Sequence, residues 1–241
     1  MSTQNQKRAR QKQGRQARQA ALLAARRKRS QRNRVIVSAF LALVLVGGIA
    51  ILVGGGGNQK AAAKKATCPK ADGSSPRQTK FTSAPPICID PTRTYTAEIT
   101  TDKGVIDVDL DQKKAPNTVN SFVFLARNHF FDSLTFHRVV PGFVLQGGDP
   151  EGTGAGGPGY KFGDELPQAG EYKLGSLAMA NSGPDTNGSQ FFIISGEQGA
   201  KLDPKYSLFG QVTNGLDVVA KIDALGNPDD QSGKPKEPIT M

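Results

Sequence analysis

The sequence predicts a mainly β domain, a closed barrel or a sandwich with helices at its ends, carried behind a single transmembrane helix. Three observations predict it. Short apolar runs between residues 95 and 212 are separated by Gly, Pro, Asn and Asp clusters, only two stretches repeat at helical spacing, and one run of 19 residues carries no charge.

Charge divides the chain before any element is assigned. The 241 residues carry 31 Lys+Arg against 21 Asp+Glu, a formal charge of +10. Residues 1–34 hold 12 basic side chains and no acid, whereas residues 81–241 hold 13 basic and 20 acidic ones. A folded nucleic-acid binder would carry its positive field on the folded part, and here only the tail supplies it, so no nucleic-acid partner is expected. Two Cys, two His and no Trp exclude a dense disulfide scaffold, and a four-ligand zinc site would need every Cys and His in the chain. No metal and no cofactor are expected.

Residues 1–34 are Gln, Arg, Lys and Ala with scattered leucines, too polar to bury the apolar area that ordering requires, and read as a basic cytoplasmic arm. Residues 35–53 (VIVSAFLALVLVGGIAILV) have the length at which a helix crosses a hydrocarbon core of about 30 Å. Arg26, Arg27, Lys28, Arg29, Arg32 and Arg34 crowd its N-terminal flank, which orients the N-terminus to the cytoplasm and the remainder outside the cell membrane. A cleaved signal peptide is the competing reading, prompted by Ala61-Ala62-Ala63, but the charged region and the apolar run are both longer than such peptides carry. Residues 54–93 are rich in Gly, Ala, Lys, Ser and Pro and read as a flexible linker. Its Cys68 and Cys88 stand either as two free thiols or, as an extracytoplasmic location permits, as a disulfide.

The domain occupies 94–241. Tyr95 to Thr100 and Val105 to Leu110 alternate apolar with polar around Asp102-Lys103-Gly104, a hairpin signature. Pro116 suits a first helical turn, and Val119, Phe122, Val123 and Ala126 follow at helical spacing. Strand-like runs come at 134–140, 143–146, 175–180, 190–194 and 208–212, with a second helix over 216–222. Gly152-Thr153-Gly154-Ala155-Gly156-Gly157 matches G-x-G-x-x-G, but Pro158-Gly159 follows where a dinucleotide site needs a helix to begin, so the match reads as a surface loop.

Two stretches carry the chemistry. FHRVVPGFVLQGGD over 136–149 sets an Arg, a Phe and a Gln along adjoining strand segments, with glycines that allow close backbone approach. MANSGPDTNGSQFF over 179–192 ends in a strand where Gln190 and Phe192 share one face and Phe191 and Ile193 the other. There are no paired carboxylates and no Ser/His/Asp order that suggests a triad. An Arg and a Gln beside apolar rings suit a site that binds a neutral, partly apolar group and polarises it.

On these residues the sequence resembles the cyclophilin family of peptidyl-prolyl cis-trans isomerases, over nearly all of 94–241. The resemblance implies a closed eight-stranded antiparallel β-barrel capped by two helices, with its active site on an outer face. By matching position it implies Arg138 as the catalytic arginine and Gln146 as the residue that orients it. Phe143, Val144, Phe192 and Leu202 would wall a proline site. Asn181 would grip the substrate through its main chain, Ala180 and Gln190 would line the adjoining groove, and His137 and Tyr206 would stand at the rim.

The activity implied is rotation of X-Pro bonds in exported or unfolded polypeptides by a monomer tethered to the membrane through one N-terminal span. The alternative is a chaperone module that holds Pro-containing segments without catalysis. Departures from the family pattern are the absence of Trp, with Ala200-Lys201 preceding Leu202, and a C-terminal Ile239-Thr240-Met241 shorter than a full closing strand.

Overall fold

A computed structural model of the protein describes residues 65–241. The basic arm, the expected span over 35–53 and the first part of the expected linker lie outside the described residues. Among the described residues no helix is long and apolar enough to cross a membrane.

Among the described residues, seven strands and two α-helices form the body. β1 (Tyr95–Thr101) and β2 (Gly104–Leu110) make the hairpin, and α1 (Pro116–Arg127) follows. Then come β3 (Arg138–Val140), β4 (Val144–Gly147), β5 (Ser176–Met179) and β6 (Phe191–Ile194). A short 3-10 turn at Gly199–Lys201 precedes β7 (Leu208–Asn214) and α2 (Leu216–Asp223). The sheet is antiparallel and ordered β1-β2-β7-β5-β6-β4-β3.

The period-two alternation read in β2 is real. Ile106, Val108 and Leu110 are buried while Asp107 and Asp109 are not, so the hairpin turns one face to the core. The same rule places Val139, Leu145, Leu177 and Ile193 inside, each with no exposed surface. Both helices feed that core, α1 through Val119, Phe122 and Val123 and α2 through Val218, Val219 and Ile222. Burying side chains of this size stabilises by about 1.5–3 kcal/mol each.

The expected closed eight-stranded barrel is corrected to a curled sheet of seven strands. Where an eighth would lie, residues 239–241 make a single bridge, Thr135 to Thr240, and no ladder. Their bonds run to both sides. Phe136 N–H donates to Ile239 O at 2.9 Å and Met241 N–H to Leu134 O at 2.8 Å, while Asp102 N–H donates to Thr240 O at 3.1 Å. A segment shared in this way between two neighbours spans the gap without becoming a strand of either.

α1 departs from a one-faced helix. Eight of its 12 residues, Thr118 to Leu125, are buried, Asn120 and Ser121 among them. Ser121 meets the Tyr160 hydroxyl at 2.9 Å, and Asn120 is covered by a strap from the segment expected as a flexible linker. Residues 65–93, rather than hanging free, lie anchored along the body. Cys88 N–H donates to Asn120 Oδ1 at 2.7 Å and Asn120 Nδ2 to Pro86 O at 2.9 Å. Phe81 is 4% exposed and packs its ring 4.7 Å from that of Phe124. Gln78 N–H donates to Asn128 O, Arg77 to Asp132 O, and His129 Nε2 lies 2.7 Å from Gly73 O. Cys68 and Cys88 are joined by a disulfide, so most of these contacts fall inside one covalent ring.

At its other end α1 has no side-chain cap from Ala115; instead Glu165 accepts from Asn117 N–H at 3.0 Å and Thr118 N–H at 2.8 Å. A carboxylate there satisfies unpaired donors and opposes the helix dipole.

Candidate active site

Strand register builds the site. Arg138 on β3 faces Gln146 on β4, Gln146 faces Phe192 on β6, and Phe192 faces Ala178 on β5. Directly opposed residues share a face, so this row lies on the side of the sheet opposite the row Val139, Leu145, Ile193 and Leu177 that fills the core. The inner row fixes the backbone and the outer row presents the polar groups.

Around Phe192 the outer face is apolar. Val144, Tyr172, Ala178, Phe192 and Ile194 are buried together, with Phe143, Ala180, Leu202, Tyr206 and Leu208 half-buried at the margin. The Tyr206 ring meets Phe192 edge to face at 5.3 Å, an arrangement aromatic pairs favour. Tyr206 is itself fixed, because its N–H donates to Tyr172 Oη at 3.1 Å and its carbonyl accepts from that hydroxyl at 2.6 Å. Phe143 stands on a turn in which Gly142 adopts φ 70° and donates its N–H to both Asp223 oxygens, at 2.9 and 3.0 Å.

A chain of side-chain hydrogen bonds borders this apolar patch. Arg138 Nη1 donates to Gln146 Oε1 at 3.4 Å, Gln146 Nε2 to Gln190 Oε1 at 3.0 Å, and Gln190 Nε2 to Gly156 O at 2.9 Å. Its polarity is fixed from both ends. A guanidinium only donates and a carbonyl only accepts, so each glutamine must turn its oxygen toward Arg138 and its amide nitrogen toward Gly156. Burial lowers the Arg138 pKa, with the Tyr206 phenol opposing the shift; an arginine nevertheless stays charged at any working pH. Burial raises the Tyr206 pKa, against the pull of Lys205 and Arg138.

The loop beyond Gly156 has its own anchor. Asp149 is 1% exposed and accepts the N–H groups of Glu151, Thr153, Gly154 and Gly156 at 2.8, 3.0, 2.6 and 3.2 Å. Burial pushes its pKa up, but the N–H bonds from Glu151, Gly156 and Gly154 and the nearby His137 outweigh burial and leave it lowered. The G-x-G-x-x-G match is thus a loop whose amides already hold an internal carboxylate.

Arg138, Phe143, Val144 and Gln146 come from the 136–149 stretch and Gln190 and Phe192 from the 179–192 stretch, so the two stretches meet at this site. Residues 96–241 match the family model described as cyclophilin type peptidyl-prolyl cis-trans isomerase/CLD. The chain belongs to this family. It is 43% identical over 163 residues to the probable peptidyl-prolyl cis-trans isomerase A of Mycobacterium leprae, covering 61% of this chain and 88% of that one. It is 45% identical over 133 residues to a peptidyl-prolyl cis-trans isomerase of Helicobacter pylori, covering 54% and 81%. A Cryptosporidium parvum cyclophilin crystallised in the presence of the dipeptide Ala-Pro is similar in structure, with a TM-score of 0.56 at 32% identity over 62% of this chain and 95% of that one. The protein is a cyclophilin-type peptidyl-prolyl cis-trans isomerase.

Most of the site residues expected of a cyclophilin come together here. Arg138, Gln146 and Gln190 form the polar border, and Phe143, Val144, Ala180, Phe192, Leu202 and Tyr206 the apolar patch. Two stand apart. Both ring nitrogens of His137 are buried without a hydrogen-bond partner, and burial holds its pKa below the ordinary histidine value. Asn181 donates from Nδ2 to Lys205 O at 2.9 Å and accepts from Gly183 N–H at 3.3 Å, so its side chain braces the neighbouring loops.

Three further residues were missed. Asp149 had a local signal, an acid heading a glycine-rich loop. Asp223, which pins the Phe143 turn, and Gly233, which lies against Arg138, had none, because both meet the site only through the tertiary fold. Among the described residues no cluster of three or more His, Cys, Asp or Glu is placed to hold a metal ion.

Proposed function

We propose that Arg138 is the catalytic cation, that Gln146 orients it, and that the patch of Phe143, Val144, Phe192 and Leu202 receives the prolyl ring of a polypeptide substrate. The observation that carries this is the single outer-face row Arg138-Gln146-Phe192, which puts one fixed positive charge beside the apolar patch. An X-Pro amide turns slowly because resonance sets a barrier of about 18–20 kcal/mol. Near the 90° twist that resonance is lost and the prolyl nitrogen regains a lone pair. A guanidinium donating to that nitrogen binds the twisted form and neither planar form, so it lowers the barrier. A charge-assisted bond of about 1.5–3 kcal/mol supplies about one to two powers of ten in rate. The apolar patch and a main-chain grip near Asn181, with Ala180, Gln190 and the His137 rim alongside, supply the rest.

Proline-containing segments as substrates are supported by the Ala-Pro dipeptide used with the Cryptosporidium relative. The reading extends to an isomerase held at the cell membrane by one N-terminal span, facing outward and acting as a monomer on exported or unfolded chains. Its supports are the uncharged run 35–53, its one-sided basic flank, and the Cys68–Cys88 disulfide, which suits an oxidising compartment.

The test is Arg138→Ala assayed by NMR exchange on an X-Pro peptide. A fall in the isomerisation rate of about two powers of ten with the peptide still bound is expected. An unchanged rate would remove Arg138 from catalysis, and binding without any exchange in the unaltered protein would make it a holding module.

A further inference from the structure

The family match begins at residue 96, yet the loop on which the Arg138 polar chain ends is held by residues that precede the match. Its outer terminus, the Gly156 carbonyl, belongs to the loop 151–159, and that loop is gripped from outside by the strap. Lys80 Nζ donates to Gly157 O at 3.0 Å and pairs with Glu151 Oε1 at 3.2 Å. Phe81 N–H donates to Pro158 O at 2.7 Å, and its ring sits on Phe124 and Tyr160. The approach is close enough to require glycine, since a β-carbon at Gly159, where φ is 99°, would lie 2.3 Å from Phe81 O.

We infer that Lys80 and Phe81, upstream of the isomerase domain, are positioning residues for its reaction: they hold the 151–159 loop so that Gly156 O orients Gln190 and, through Gln146, Arg138. The inference rests on the reading of Arg138 as the catalytic cation. Its physical basis is the direction of the amides. A glutamine side chain reverses donor and acceptor by a half turn about its last bond, with little change in shape. What forbids the reversal of Gln190 is the acceptor at Gly156, and what forbids that of Gln146 is Gln190. If the loop withdraws, Gln190 is free to turn and Gln146 is held in its direction by the guanidinium alone, across the long 3.4 Å bond, so the placing of Arg138 slackens. Asp149 holds the same loop from within, but four of its bonds fall on residues 151–156, whereas the strap takes carbonyls at 157 and 158. The strap therefore holds the 157–158 end that Asp149 does not reach, with the Lys80–Glu151 pair as its one tie to the other end.

The experiment compares the unaltered full-length chain with Lys80→Ala, Lys80→Arg, Phe81→Leu and Arg138→Ala. Peptide affinity, the isomerisation rate of bound peptide, and the side-chain amide resonances of Gln146 and Gln190 are followed by NMR at a temperature where every variant is folded. Lys80→Ala and Phe81→Leu are expected to move both amide resonances and to slow the bound-state rate by about five- to tenfold, a size typical of small misplacements in an active site, with affinity changed less than about twofold. Lys80→Arg, which keeps a donor to Gly157 O, should restore most of the rate.

Unmoved resonances and an unaltered rate in Lys80→Ala would overturn the inference, as would a loss confined to affinity. An Arg138→Ala protein that remains fully active would instead overturn the reading beneath it, whatever the Gln resonances do.

Discussion

Gly233 lies directly against Arg138. A β-carbon at Gly233 would come within 2.9 Å of Arg138 Cγ, and Gly233 O accepts the N–H of Val139 at 2.7 Å. The C-terminal loop is therefore the wall behind the arginine, fastened to β3 by a backbone bond one residue away.

Gly233→Ala should push the Arg138 stem out of line. Its φ of 73° already disfavours a side chain, adding about 1 kcal/mol or more of backbone strain. The expected result is a bound-state isomerisation rate lowered by about tenfold with peptide affinity nearly unchanged. NMR exchange measures both quantities on one sample, and equal rates for the two proteins would show that the arginine accommodates the methyl group.

Asp149→Asn replaces an oxygen that faces backbone donors with an amide that is itself a donor. Leaving buried N–H groups opposed in this way costs about 1–3 kcal/mol, and slower catalysis should follow as the Gly156 end of the loop loosens. The pH dependence has a definite sign. The folded Asp149 has a pKa below its ordinary value, so its contribution is present above about pH 4 and disappears as the pH falls through the folded value. Thermal midpoints of the two proteins should differ at pH 7 and converge in acid. A gap that stays constant down to about pH 2 would assign the loss to shape and not to charge.

Breaking the Cys68–Cys88 ring should release the strap. A cross-link closing a loop of this size stabilises by about 3 kcal/mol, equivalent to about 6–12 °C in melting temperature for a body of this length. Cys68→Ser with Cys88→Ser, or treatment with a thiol reductant, should lower the midpoint by that amount and open the strap to protease cleavage between residues 69 and 87. Identical melting and cleavage with the bond intact and broken would mean that the noncovalent anchors suffice.

The core and the site's outer row were legible because both depend on local periodicity. Alternation in β2 and the opposed faces of Phe191 and Phe192 are written within five or six residues, and the structure keeps them. Barrel closure was not legible. Whether Thr240 joins Thr135 in a ladder or in one bridge depends on Asp102 competing for its backbone, a residue well over a hundred positions away. The linker was misjudged over 65–93 because Gly, Pro, Lys and Ser dominate its composition, while one phenylalanine and one cysteine pair decide where it lies. Asn120, a polar residue in the middle of an apolar helix, was the overlooked sign that something covered α1. Asp223 and Gly233 carried no sign at all, since their roles arise only when distant loops meet Gly142 and Arg138.

Phe81 fills the space over Phe124 and Tyr160, beside Leu125, Phe130 and Leu134. Anyone trimming this protein to its catalytic portion by cutting near residue 94 would strip that cover away and bare a greasy scar on α1. Such a fragment would be prone to clump in solution for reasons unrelated to its chemistry. The cut belongs ahead of Ala66, and the shortened enzyme should be produced where thiols can oxidise.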